Sequence, residues 1–373
     1  MHHRLRSGPR LSRRALITGL GASGAGLLML ASAGCQAARP ASPSPLAPAP
    51  TVTTVALAAA PSAAPPAPAS APTATTQPAP SPASTRPAAS ATVATASTPR
   101  PATKAPGAPD LVVIRGGSPA EITRAAVEAL GGIAHFVPKG STVVIKPNIC
   151  TAMAPEYAAT TNPEVVETLV KLCQEAGASR VKVLDYPWGS ERTAYAESGI
   201  EEAVKRAGAE MVSITPLKWK KTAIPKAKLI KSIGIYEDVL KADVIINVPI
   251  AKDHGLSRLT LGMKNLMGVV DYREQFHMSM GQSLSDLLTV VKPAFTLVDA
   301  VRILTANGPG GGLLDYVKKL DTVIASTDIV AVDAYSSTLF GLKPDELETV
   351  RTGQQNGLGT HDLASLKIAE VKR

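Results

Sequence analysis

The residues with the clearest chemical potential fall within 251–271, AKDHGLSRLTLGMKNLMGVVD. Lys252, His254 and Lys264 are cationic or titratable, Asn265 is an amide, and Gly255, Gly262 and Gly268 punctuate them. The apolar run 244–250, VIINVPI, precedes them and reads as a buried strand. A buried strand that ends in lysine, histidine and glycine is where α/β proteins open a ligand crevice. Lysine supplies a point charge, and glycine lets backbone N–H groups approach an anion. The stretch therefore predicts a pocket for a phosphate, a carboxylate or another anionic small molecule.

Other segments are expected to feed the same pocket. Strand ends deliver Lys146, Asn148, Asp185 and Asp299. Lys264, Asn265 and the glycine loop with Gly308, Gly310 and Gly311 are expected to close over it. In a catalytic reading, His254 is the general acid–base and Lys252 or Lys264 stabilises an oxyanion. Lys146, Asn148, Asn265 and the three loop glycines then bind the ligand. His277, Asp299 and Asp333, with His254 and Asp328, form either a mixed set for a divalent metal or a group of structural residues. Asp328 follows Thr327 at a helix start and reads as a cap. Asp333 falls within an apolar helix, so its carboxylate needs a partner, for which Lys146 or Lys264 is the expectation. The glycine loop is also compatible with a plain turn. No Gly-Lys-Ser/Thr follows it, so it is not a Walker loop.

These residues need strands and helices to position them. Residues 111–114 read as the first strand, and Ser118-Pro119 starts a helix that stops at Gly131-Gly132. Residues 142–146 form the second strand, running into Pro147-Asn148. Asn162-Pro163 starts a helix in which Val166, Leu169, Val170 and Cys173 recur at helical spacing. Residues 181–184 form a third strand ending at Asp185, and 191–207 a helix. The lysine-rich segment 217–231 reads as an exposed extended insert. Residues 295–298 form a strand that ends at Asp299, and 323–326 another that leads into the helix 329–340. Apolar strands alternating with helices predict an α/β domain. Its sheet is expected to be mostly parallel, with helices on both faces, in one body or two lobes.

The formal charge of +9 suggests a nucleic-acid or membrane partner until it is located. Residues 1–109 hold nine Lys or Arg and no Asp or Glu, which leaves 30 of each sign in 110–373. A neutral domain with only 3% aromatic residues argues against nucleic acid. The three cysteines, Cys35, Cys150 and Cys173, include no C-x-x-C, so no iron–sulfur or zinc-ribbon motif is present. Cys173 reads as core, and a Cys150–Cys173 disulfide and two unpaired thiols both stay open. The cofactor is not named by the sequence.

Residues 1–35 read as an export signal. Ser12-Arg13-Arg14-Ala15-Leu16-Ile17 resembles a twin-arginine motif, and the weakly apolar stretch 15–33 suits a signal h-region better than a membrane span. Ser32-Ala33-Gly34-Cys35 resembles a lipobox with serine where leucine is usual, which would make Cys35 the lipidated residue. Cleavage after Ala33 is the competing reading. Residues 36–109 hold 18 of the 31 prolines and almost no large apolar side chain, and read as a disordered linker. The folded domain is then 110–373. It is expected outside the cytoplasm, held to the outer face of the cytoplasmic membrane by a lipid anchor or an uncleaved signal, or secreted.

Within 110–373, several segments in order resemble the bacterial and archaeal DUF362 family. They are Val143-Val144-Ile145-Lys146-Pro147-Asn148, Asn162-Pro163, Lys252-Asp253-His254, Gly262-Met263-Lys264-Asn265-Leu266-Met267-Gly268, Phe276-His277, Val298-Asp299-Ala300, Gly308-Pro309-Gly310-Gly311 and Ala331-Val332-Asp333-Ala334. The resemblance implies a domain and not an activity. Some members of the family carry an attached four-iron cluster segment, whose cysteines this chain lacks. Three functions follow as expectations: an exported enzyme acting on an anionic small molecule, an envelope-tethered anion-binding protein without chemistry, or a metal- or redox-cofactor protein.

Overall fold

The first strand shows how the sheet is built. Leu111 and Val113 face one apolar core, while Val112 and Ile114 face another. Successive strand side chains point to opposite faces, so a continuous apolar strand must be covered on both. In the computed structural model, which describes residues 103–373, the strands are β1 (Leu111–Arg115), β2 (Thr142–Pro147), β3 (Arg180–Val183), β4 (Glu210–Met211), β5 (Trp219–Ala223), β6 (Ser232–Tyr236), β7 (Val244–Val248), β8 (Ile250–His254), β9 (Arg258–Thr260), β10 (Phe295–Leu304), β11 (Val317–Ser326) and β12 (Ile368–Lys372). The helices are α1 (Pro119–Ala129), α2 (Ile133–Phe136), α3 (Pro163–Glu175), α4 (Glu191–Glu197), α5 (Ile200–Arg206), α6 (Glu237–Leu240), α7 (Gly262–Asn265), α8 (Met280–Leu288), α9 (Ile329–Ser337) and α10 (Glu348–Gln355).

One sheet in the order β12-β1-β11-β10-β7-β2-β3-β4 runs through the described residues, with β8 joined to β10 and β9. Its pairings are parallel except where β11 meets β1 and β10, and where β9 meets β8. Buried residues of α1 to α5 pack on one face, and those of α6 to α10 on the other. The α/β class and the mostly parallel sheet expected from the pattern are what the fold has.

Three segments differ from expectation. Residues 217–231 are not a free insert: β5 pairs with β6, and Ile224, Ala227 and Ile230 are buried in the core. The Asp286 carboxylate accepts the backbone N–H groups of Lys228, Leu229 and Ile230, which pins the segment down. The helix expected over 191–207 breaks into α4 and α5 at Gly199, whose φ of 69° lies in the left-handed region that glycine tolerates. The strand expected over 244–250 ends at Val248, and Ile250–His254 is a separate strand, β8, that forms a hairpin with β9.

The export signal at 1–35, with Cys35, and linker residues up to 102 lie outside the described residues. The end of the expected linker does not: Ala105 and Ala108 are buried, and His135 Nε2 lies 2.7 Å from the Thr103 carbonyl. The domain therefore begins ahead of Asp110.

Candidate functional site

A cavity of about 120 Å³ opens at the carboxyl ends of β2, β3 and β8, the edge where parallel sheets carry their ligands. Residues two apart on a strand share a face. Hence Lys146 and Asn148 at the end of β2 both line the cavity, as do Lys252 and His254 on β8. Asp253, between the latter, turns away and accepts the Gly308 N–H at 2.9 Å.

The segment from Gly262 to Gly268 is the opposite wall, and each polar group in it has a task. Asp333 on α9 accepts the Gly262 N–H at 2.6 Å and the Met263 N–H at 2.9 Å, fixing the start of α7. Lys264 then projects into the cavity. Asn265 donates to the Lys146 carbonyl and to Asn247 Oδ1, and its own Oδ1 accepts from Lys146 Nζ at 2.6 Å and Asn148 Nδ2 at 3.0 Å. Gly268 lies against a buried ion pair between Lys146 Nζ and Asp185 Oδ1, 2.9 Å apart. A Cβ at Gly268 would stand 1.7 Å from that carboxylate oxygen, so no other residue fits.

Four cationic side chains (Lys146, Lys252, Lys264 and Arg273) line the cavity against two carboxylates, Asp185 and Glu274. Their states differ. Burial lowers the Lys146 pKa against the attraction of Asp185. Lys252 is fully buried and donates to the carbonyls of Ala159 and Pro309 and to Cys150 Sγ, so its three protons are used. Lys264 has no hydrogen-bond or ion-pair partner among the described residues. Burial, reinforced by Lys252 and Arg273, pushes its pKa down to about 8. Arg273 is clamped by the carbonyls of Tyr186 and Pro187 and stacks over the Tyr186 ring at 4.3 Å. Asn148 Oδ1 is buried and has no hydrogen-bond partner among the described residues.

His254 is held in one tautomer. Its Nδ1 accepts the backbone N–H of Leu256 at 3.1 Å and of Ser257 at 3.4 Å, which leaves the proton on Nε2. Burial, with Lys264 and Lys252 nearby, pushes its pKa down to about 4. At neutral pH it is an uncharged imidazole that donates through Nε2. His277 also lines the cavity, its pKa lowered by burial and by Lys264.

The structure thus gathers Lys146, Asn148, Asp185, Lys252, His254, Lys264, Asn265 and His277 at one cavity. It does not gather the others. Asp299 accepts the N–H groups of Asn162 and Val301 and braces the start of α3, its pKa pushed up to about 6 by burial. Asp333 serves α7, and its partners are two backbone N–H groups, not Lys146 or Lys264. Burial pushes its pKa up to about 7. Asp328 caps α9 through Val330 and Ala331. Among the described residues no three His, Cys, Asp or Glu side chains stand together as a metal-binding group. Asp299 and Asp333 each accept two backbone N–H groups and lie outside the cavity lining. The glycine loop is the turn between β10 and β11: Gly308 N–H goes to Asp253 and Gly311 N–H to Asn307, so neither is offered to a ligand. Gly308, Gly310 and Gly311 stay outside the lining, and only Pro309 of the loop reaches it.

Sequence reasoning missed Cys150, Arg273, Tyr186 and Trp188. Arg273 precedes the Phe276-His277 pair closely enough to have been noticed. Nothing local marks Cys150, which is drawn in by Lys252 from 102 positions away. Both Cys150 and Cys173 are free thiols, and burial pushes Cys173 up to about 12. Iodoacetamide at neutral pH is therefore expected to alkylate Cys150 and spare Cys173, with sulfate slowing the reaction. Peptide mass mapping reads this out; equal labelling of the two thiols would contradict it.

The chain is 26% identical over 251 residues to the Thylakoid-associated protein sll1697 of Synechocystis sp. (strain ATCC 27184 / PCC 6803 / Kazusa), covering 65% of this chain and 76% of that relative. No helix among the described residues is long and apolar enough to cross a membrane. Residues 143–338 match the family described as "Domain of unknown function (DUF362)", from β2, which carries Lys146, to the end of α9, which carries Asp333. The chain belongs to the DUF362 family.

Proposed function

We propose that the cavity binds a small molecule through a carboxylate or phosphate, and that the protein is an enzyme acting on that molecule. The observation that carries this reading is Lys264, an ammonium facing a cavity with no partner among the described residues. Burying such a charge costs free energy that an incoming anion recovers. Arg273 adds positive charge, and His254 Nε2–H is a neutral donor of the kind that polarises a carbonyl or phosphoryl oxygen. Cys150 Sγ, which accepts from Lys252 Nζ at 3.0 Å, lies in the same lining and could act as a nucleophile.

Sulfate keeps its charge across the relevant pH range and makes a suitable probe. The cationic form of Lys264 is the form that binds. Affinity should therefore be level from neutral pH to the Lys264 pKa of about 8 and fall above it, by up to about tenfold per pH unit. Titration calorimetry on either side of that value measures this. A flat profile, or no binding, removes Lys264 from the site.

Capture without chemistry is the second reading. It is favoured by His254 Nδ1 being already occupied, which leaves no ready proton acceptor on that ring. A guest recovered unaltered after long incubation with the protein selects it.

For location, we propose tethering outside the cytoplasm through Cys35. The twin-arginine-like sequence and the lipobox-like Ser32-Ala33-Gly34-Cys35 support it, and the relative's name associates that protein with a membrane. Palmitate labelling and membrane fractionation should both be lost in Cys35→Ala. A variant that fractionates with the membrane as before, alongside an unlabelled parent, would sink the anchor.

A further inference from the structure

We propose that the guest is an amphiphile, with its oxyanion head at Lys264 and an apolar chain lying across Trp188 and Leu256. This rests on the anion reading above and names the substrate class. Both residues line the cavity, yet Trp188 is 68% and Leu256 72% exposed. Tyr272 and Met278, 75% and 90% exposed, flank the cavity-lining Arg273 and His277 in the chain. Two of the ten exposed large apolar residues among the described residues thus line the cavity, and two more are chain neighbours of residues that do. Scattered single exposures need no explanation, whereas an apolar group around a charged interior marks a binding surface.

The rim is tied to the interior. The Trp188 N–H donates to the Cys150 carbonyl at 2.7 Å, and Arg273 holds the neighbouring Pro187 carbonyl. The Leu256 N–H donates to His254 Nδ1. The two apolar side chains are therefore carried by backbone that is hydrogen-bonded to the residues around the head. A purely hydrophilic anion would satisfy Lys264 and leave both rim side chains in water. A chain attached to the oxyanion satisfies both.

The test compares inorganic phosphate with ethyl, butyl and hexyl phosphate at one pH, by calorimetry on the full chain. Affinity should rise with chain length, by up to about fourfold per methylene that the rim covers fully. In the doubly substituted Trp188→Ser, Leu256→Ser protein the rise should vanish while inorganic phosphate binds as before. A flat series in the parent protein overturns the amphiphile and leaves the anion site standing, as does a rise that survives in the rim variant. Absence of binding by phosphate and by every ester overturns both readings. A bilayer lipid and a free single-chain molecule share this chemistry. Cosedimentation with phosphatidylcholine vesicles containing phosphatidic acid, weakened in the rim variant, supports the first source; unchanged cosedimentation beside a retained chain-length series supports the second.

Discussion

Replacing Lys264 by methionine is expected to abolish sulfate binding and turnover while making the protein more stable. The parent holds a half-buried ammonium that has no partner among the described residues, and desolvation lowers its pKa from 10.5 to about 8. A lysine whose folded pKa is lowered opposes folding in its charged form. Removing that charge at neutral pH should return up to about 3 kcal/mol. The sign can be checked by titration. Between the folded and unfolded pKa values the unfolded chain holds more protons, so the parent gains stability as pH rises from about 8 towards 10.5. The advantage of Lys264→Met should narrow over that interval. Denaturant unfolding at several pH values, beside calorimetry, measures both halves. A variant that loses stability with the binding would mean Lys264 is structural. One that keeps binding would place the anion elsewhere. Loss of function with gain of stability is the signature of a residue kept for its task.

The second large effect is expected from Asp185→Ala, and it has the opposite sign. Lys146 and Asp185 are 1% and 2% exposed, and their contact is 2.9 Å. Asp185 Oδ2 also accepts the Ile149 N–H. Removing one member of a buried pair strands the other, at a cost of about 3–5 kcal/mol. Lys146→Met together with Asp185→Ala should be less damaging than Asp185→Ala alone, because no unpaired ammonium remains. The single variant should also recover as pH rises towards 10.5, since Lys146 is then released from its charge in both states. Unfolding midpoints of the three proteins decide this. If the single variant loses under about 1 kcal/mol, the pair is no more than a surface-grade contact.

Much of this site could be read from residue types at strand ends. A lysine or histidine that terminates an apolar run has nowhere to go but the rim of the sheet, and Lys146, Lys252 and His254 are found there. The continuous apolar strands likewise pointed to the class of the fold, because strands buried on both faces admit few architectures. The failures share one cause. Asp299 and Asp333 look like ligands in a sequence, since nothing local shows which distant N–H groups a carboxylate serves. Asp333 reaches Gly262 across 71 positions. The glycine loop misled in the same way: its composition is that of an anion cradle, but Asp253 and Asn307 take the Gly308 and Gly311 N–H groups. Cys150 was passed over because its partner, Lys252, lies on another strand. Pairings over such separations are decided by packing and not by spacing.

The span that defines kinship is not the span that can stand alone. The family match begins within β2 and ends just after α9, and it contains every cavity residue. It omits β1 and β12, and β1 is the strand that zips antiparallel onto the outer side of β11 along Thr322–Ser326. A fragment trimmed to the match would carry intact chemistry on a sheet with a raw seam, where Val323, Ile324 and Ala325 would lose their cover. Unpaired apolar strands of that kind recruit other chains. Recombinant work on the cavity alone would thus be frustrated by clumping, for want of two short ribbons that never touch the guest.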